Sequence, residues 1–119
     1  MARILIVDDE AQICEEFRDI LQEENHEVDI ALNGEEAIEK VSETQYDLVF
    51  LDVLMPRMEG RQVFESIQKI SPVPVAIMSG YMPPNKERDV LALGAVACLR
   101  KPLDLNRVKS LLRSIEGKK

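Results

Sequence analysis

Ile4–Glu10 reads ILIVDDE: four aliphatic residues in a row, three of them β-branched, running directly into three acids. A run this short and this continuous is the pattern of a strand buried on both faces, as in a parallel sheet. Runs of the same kind recur at Val28–Ala31, Leu48–Leu51, Val73–Met78 and, less strongly, Val96–Leu99. The segments between them carry helical spacing instead. Ile13, Phe17, Ile20 and Leu21 fall at i, i+4, i+7 and i+8 on one stripe. Ala37, Ile38 and Val41 follow the turn at Asn33-Gly34, and Val63, Phe64, Ile67 and Ile70 make a third stripe. Val90, Leu91 and Leu93 mark a fourth helix with a polar beginning. Val108, Leu111, Leu112 and Ile115 mark a fifth, with Asp104 as its N-cap. Strand followed by helix, five times over, predicts an α/β fold with a parallel sheet and helices on both faces.

The chain of 119 residues is the size of one domain, expected over residues 1–117 with Lys118-Lys119 as a solvated tail. Fifteen basic residues against 22 acidic ones leave a net charge of −7, which opposes direct binding to nucleic acid. No apolar stretch is long enough for a membrane span, and no signal-peptide pattern opens the chain. Cys14 and Cys98 sit far apart among apolar neighbours, as buried free thiols do in a reducing compartment; a cytoplasmic location is expected. The single histidine, His26, lies in a predicted turn, where a structural role is expected over metal ligation.

Five polar residues occupy one recurring place in this plan. Asp8 and Asp9 follow the first aliphatic run, Asp52 the third, Ser79 the fourth and Lys101 the fifth. The carboxyl ends of all strands in an open parallel sheet share one rim, where ligands bind, so these five are expected to converge. Taken singly, each has a plainer reading: an Asp after a strand caps a helix, Ser79-Gly80 makes a turn, and Lys101-Pro102 is a surface lysine before a loop. Taken together they describe a site. Three carboxylates in one crevice repel unless a cation bridges them, and oxygen donors without His or Cys suit a hard ion such as Mg²⁺. A carboxylate nucleophile, a hard metal, an ammonium and a hydroxyl are the parts of a phosphoryl-transfer centre.

These residues also match a known family. ILIVDDE, then LDVLMPRMEG at Leu51–Gly60, MSGY at Met78–Tyr81 and GAVACLRKP at Gly94–Pro102 resemble the response-regulator receiver domains of two-component systems, in order and over essentially the whole chain. The resemblance implies a flavodoxin-like three-layer (βα)5 fold with strand order 2-1-3-4-5. It implies Asp52 as phosphoacceptor, taking the group from a phosphohistidine on a histidine kinase or phosphotransfer protein. It implies Asp9 as a direct Mg²⁺ ligand, Asp8 as one acting through water, and the Leu54 backbone carbonyl as another metal ligand beside Asp52. Ser79 resembles the switch hydroxyl and Lys101 the lysine that holds the phosphoryl group, with a cis Lys101-Pro102 bond. The downstream protein target would dock on the face of the fourth helix, fifth strand and fifth helix, with no nucleic acid or membrane bound directly.

The chain departs from that pattern at Cys98, where the family usually carries an aromatic ring three residues before the lysine. Two other functions keep parts of the pattern. An aspartate-nucleophile phosphatase needs a second acid two residues after the nucleophile, and that residue is Leu54. A receiver that serves as an unphosphorylated interaction module would have no use for the full set of Asp8, Asp9, Asp52, Ser79 and Lys101.

Overall fold

Each aliphatic run becomes a strand, and the parallel pairing explains why the runs are continuous. The computed structural model describes residues 2–53, 60–80 and 84–116, with Pro84 and Lys86 described by their backbone alone. The elements alternate as β1 (Arg3–Val7), α1 (Ala11–Glu23), β2 (Glu27–Ala31), α2 (Gly34–Glu43), β3 (Leu48–Asp52), α3 (Gly60–Ile70), β4 (Val75–Ser79), α4 (Pro84–Ala92), β5 (Ala97–Arg100) and α5 (Leu105–Glu116). The sheet runs β2-β1-β3-β4-β5 with every pair parallel, the flavodoxin-like order expected.

Alternate residues of each strand serve different cores. Leu5, Val7, Val49, Leu51, Val75 and Ile77 pack with α2 and α3 through Ala37, Val41, Val63, Phe64 and Ile67, and Val90 of α4 packs against the same cluster. Ile4, Ile6, Leu48, Phe50, Ala76 and Met78 pack on the other face with Cys14, Phe17 and Leu21 of α1 and Val108 and Leu112 of α5. Both faces are thus covered, so neither side of the inner strands tolerates a polar residue until the chain reaches the rim.

Helix ends follow local chemistry. Asn33 caps α2 by accepting from the Glu36 N–H at 2.8 Å, while the Glu36 carboxylate accepts from the Leu32 N–H and the Asn33 side-chain amide, tying the chain before the cap to the first turn. Asp104 accepts from the Asn106 N–H at 2.9 Å at the start of α5, as expected. The α4 segment ends at Gly94, whose φ of +116° suits a residue without Cβ.

Three apolar stripes sit differently from their sequence reading. On α1 the buried line is Cys14, Phe17 and Leu21, spaced i, i+3, i+7, which rotates Ile13 out to 40% exposure. Ile70, the last residue of α3, is exposed. On α4, among the described side chains, Val90 is the apolar one that packs inward; Leu91 is exposed, and Leu93 lies past the helix end, also exposed. The polar beginning of α4 leaves it a weak amphipathic pattern, and Val90 holds it there.

Phe50 is fully buried and meets Phe17 edge-on with ring centroids 5.0 Å apart, joining β3 to α1. Phe50→Ala is expected to cost about 3–5 kcal/mol, the range for emptying an aromatic from a core. Urea unfolding followed by circular dichroism measures it; a loss under about 1 kcal/mol would mean that this contact does not anchor α1.

Candidate functional site

The parallel register carries backbone pairing to the carboxyl ends of the strands and slightly beyond. Asp8 follows β1 and its N–H donates to the Ala31 carbonyl at 3.1 Å. Asp52 is the last residue of β3, and the next N–H, that of Val53, donates to the Met78 carbonyl at 3.2 Å. Ser79 ends β4, and its carbonyl accepts from the Lys101 N–H at 2.9 Å, just past β5. Backbone bonds therefore fix where each of these side chains starts.

The side chains then meet. The Lys101 ammonium donates to Asp8 Oδ2 at 2.6 Å and to Asp52 Oδ2 at 2.9 Å. Asp8 and Asp52 are almost fully buried, at 1% and 3% exposure, and Ser79 is buried beside them. Burial by itself would lower the lysine pKa, but the hydrogen bonds and charges of Asp8 and Asp52 outweigh it and hold the ammonium above its ordinary value. A raised folded pKa means that this stabilisation is complete below the usual lysine value of about 10.4 and disappears as pH rises through the folded one.

Asp8 has further duties. Its Oδ1 accepts from the Glu10 N–H at 3.1 Å, and its carbonyl accepts from the Cys14 thiol at 3.4 Å. Asp9 and Glu10 are exposed. One carboxylate oxygen from each of Asp8, Asp9 and Glu10 lies within 4.8 Å of the others, close enough for one cation to reach all three. The donors are oxygen only, which fits Mg²⁺ and gives no preference to softer metals. Glu10 was not among the residues singled out from sequence. It stands at the N-cap of α1 without a side-chain capping bond, so its carboxylate remains available to the cluster.

Of the five residues expected to converge, the structure brings Asp8, Asp52 and Lys101 into direct contact, sets Ser79 beside Lys101 through the backbone, and leaves Asp9 at the exposed mouth. Leu54, Tyr81 and the Lys118-Lys119 tail lie outside the described residues. The Lys101-Pro102 peptide is cis, as expected.

Both cysteines are free and buried, in separate cores. Burial, and secondarily the charge of Asp8, pushes the Cys14 thiol up to about 11; burial and then Glu87 raise that of Cys98. His26 is structural: its Nδ1 accepts from the Ala2 N–H at 3.0 Å and lies 3.6 Å from Glu116 Oε1. Among the described residues, no helix is long and apolar enough to cross a membrane.

The response regulator receiver domain family matches the chain over residues 4–113. A transcriptional regulatory protein of Haemophilus influenzae, a CpxR homolog, is 37% identical over 117 residues, covering 95% of the chain and 51% of that protein. The chain thus spans about half the length of that curated relative. Among solved structures, the response regulator TrrA of Thermotoga maritima, in complex with Mg(2+)-BeF, is 34% identical with a TM-score of 0.85, covering 97% of this chain and 99% of that one. A CheY-like receiver domain protein of Methanospirillum hungatei is 31% identical with a TM-score of 0.88, covering 100% and 99%.

Removing the ammonium would leave Asp8 and Asp52 buried against each other with a cation lost. Lys101→Ala is therefore expected to destabilise the metal-free fold by about 3 kcal/mol at neutral pH, measured by denaturant titration in EDTA. A variant as stable as the parent would show that the two carboxylates do not depend on Lys101. The thiols give an independent check of the cores. At pH 8 iodoacetamide should modify neither cysteine in the native protein and both in urea, as read by intact mass.

Proposed function

Because the chain belongs to the response regulator receiver family of two-component systems, a family of signalling domains, we propose that it accepts a phosphoryl group on Asp52 in a Mg²⁺-dependent reaction. The observation that carries this reading is the buried Asp52 carboxylate, which shares one ammonium with Asp8 beside the Asp8-Asp9-Glu10 cluster. In the proposed reaction an Asp52 oxygen forms the new bond to phosphorus as the bond from phosphorus to the donor's histidine nitrogen breaks, and the imidazole leaves with the electron pair. Asp8, Asp9 and Asp52, with the Leu54 carbonyl, would hold Mg²⁺, which supplies charge neutralisation for the transfer. Asp9 is proposed as the direct ligand and Asp8 as acting through water.

The chain's own groups do the rest. Lys101 already lies 2.9 Å from an Asp52 oxygen, so a short movement off Asp8 brings its ammonium to a phosphoryl oxygen. Ser79 ends the neighbouring strand and would donate its hydroxyl to another phosphoryl oxygen. The Lys101 N–H to Ser79 carbonyl bond couples the two residues, so their movements are linked. Cys98 is buried against the core that contains α2 and α3, where the family's ring would turn inward. Switching would then rest on Ser79 and the chain leading into α4.

The proposed donor is a histidine kinase or phosphotransfer protein. The proposed outlet is the α4-β5-α5 face, where Leu91, Val96 and Leu105 are exposed and available to a downstream protein. We place the reaction in the cytoplasm and the functional unit at residues 1–117, without direct contact to nucleic acid or membrane.

Phosphoramidate or acetyl phosphate with Mg²⁺ should add one phosphoryl group, seen by intact mass, and EDTA should prevent it. Asp52→Asn keeps the shape and removes the anionic nucleophile, so labelling should be lost. Labelling of that variant at the parent level would place the phosphoacceptor elsewhere.

A further inference from the structure

Gly60 opens α3 and is fully enclosed. A Cβ built on it would fall 2.7 Å from Val53 Cβ and 2.8 Å from Val53 Cγ1, and closer still to Val53 Cα. Real Cβ atoms do not approach this near, and the obstacle includes main chain, which no rotamer change removes. Gly60 and Val53 are thus in backbone contact, and they form the two ends of the segment that joins β3 to α3.

Val53 is the residue immediately after Asp52. Its N–H is bonded to Met78 of β4, and its side chain packs against the core of α2 and α3. On the other side, α3 is anchored by Val63, Phe64 and Ile67, all buried. A group forced between Gly60 and Val53 therefore meets a helix held by three core side chains on one side. On the other side it meets the end of β3, where Val53 keeps a backbone bond to Met78 and its packing against the core. Part of the displacement would therefore go to Val53, and from there to Asp52, its neighbour in the chain.

We propose that Gly60 is a positioning residue for the phosphoacceptor: the absence of its side chain lets α3 brace Val53 and so fixes where the Asp52 carboxylate stands relative to Lys101 and the cation. This rests on the reading of Asp52 as phosphoacceptor and adds a residue that touches neither donor nor metal. Ordinary packing at a helix start predicts a loss of stability only. Bracing predicts that site geometry fails while the fold persists, because small misplacements at a phosphoryl-transfer centre cost far more in function than in stability.

The test compares the parent, Gly60→Ala and Val53→Ala. Thermal melting, Mg²⁺ titration by calorimetry and uptake of beryllofluoride followed by fluorine NMR are measured for each. In folded Gly60→Ala, Mg²⁺ affinity and beryllofluoride uptake should fall by about tenfold or more. Metal-free amide spectra should show displaced signals at Asp52 and Val53 and quiet ones at Val63–Ile67. Mg²⁺ affinity within about twofold of the parent, or shifts concentrated in Val63–Ile67, would overturn the proposal. If Gly60→Ala does not fold, Val53→Ala decides the matter. That variant loosens the same brace, and it should lose Mg²⁺ affinity by about threefold or more while melting as a folded protein; unchanged affinity would overturn the idea. Failure of the parent itself to take up Mg²⁺ and beryllofluoride would instead reject the reading of Asp52, and the amide shifts would still test the brace.

Discussion

Two carboxylates and one ammonium share the carboxyl rim of this sheet. Lys101 lies 2.6 Å from Asp8 and 2.9 Å from Asp52, and the three residues come from the ends of three different strands. Both carboxylates are almost fully buried and share that ammonium, whose position depends on the register of β1, β3 and β5. A one-residue slip of any of these strands would turn its charged residue toward a core and bring an apolar one to the rim. The apolar pattern of the strands and the polar pattern of the site therefore enforce the same alignment.

The same geometry closes the resting site on its inner side and leaves it open on its outer side. Asp8 and Asp52 share a single ammonium on the inner side. Asp9 and Glu10 face solvent at the mouth, and among the described residues no cation pairs with either. A divalent ion entering there would meet the exposed acids first and would then compete with the lysine for Asp8. An ammonium that can yield to a metal and then turn to a phosphoryl oxygen suits a group whose charge changes during its working cycle, whereas a guanidinium held in two fixed forks would resist that exchange.

Much of this could be read from residue order alone, for physical reasons that differ by residue. Strands buried on both faces leave unbroken aliphatic runs, so all five were visible, and the rim positions of Asp8, Asp52, Ser79 and Lys101 followed from where those runs stop. The helices were less legible. Ile13 and Cys14 are adjacent and both apolar, and only the rotation of α1 on the sheet decides which of them is buried. Leu91 follows the same rule on α4, where Val90 packs inward, while Leu93 falls past the helix end. Glu10 stands out less in the sequence because it follows two aspartates, and only the three-dimensional path of the chain shows that its carboxylate turns toward theirs. Gly60 closes the LDVLMPRMEG stretch in the sequence, and its contact with Val53 depends on how the helix returns to the strand, which no spacing encodes.

The Asp8–Lys101 ion pair joins residues 93 positions apart. Loop closure over such a distance costs entropy that grows only slowly with length, yet that cost is met before the contact gives anything back. The pair therefore belongs to the last events of folding, after β1, β3 and β4 are aligned. A chain growing from its amino terminus would carry Asp8, Asp9 and Glu10 as an unneutralised acidic cluster until β5 arrives to supply the lysine. Partly made or truncated chains would thus present sheet without chemistry, so a working site in the cell also reports that the chain is folded through its fifth strand.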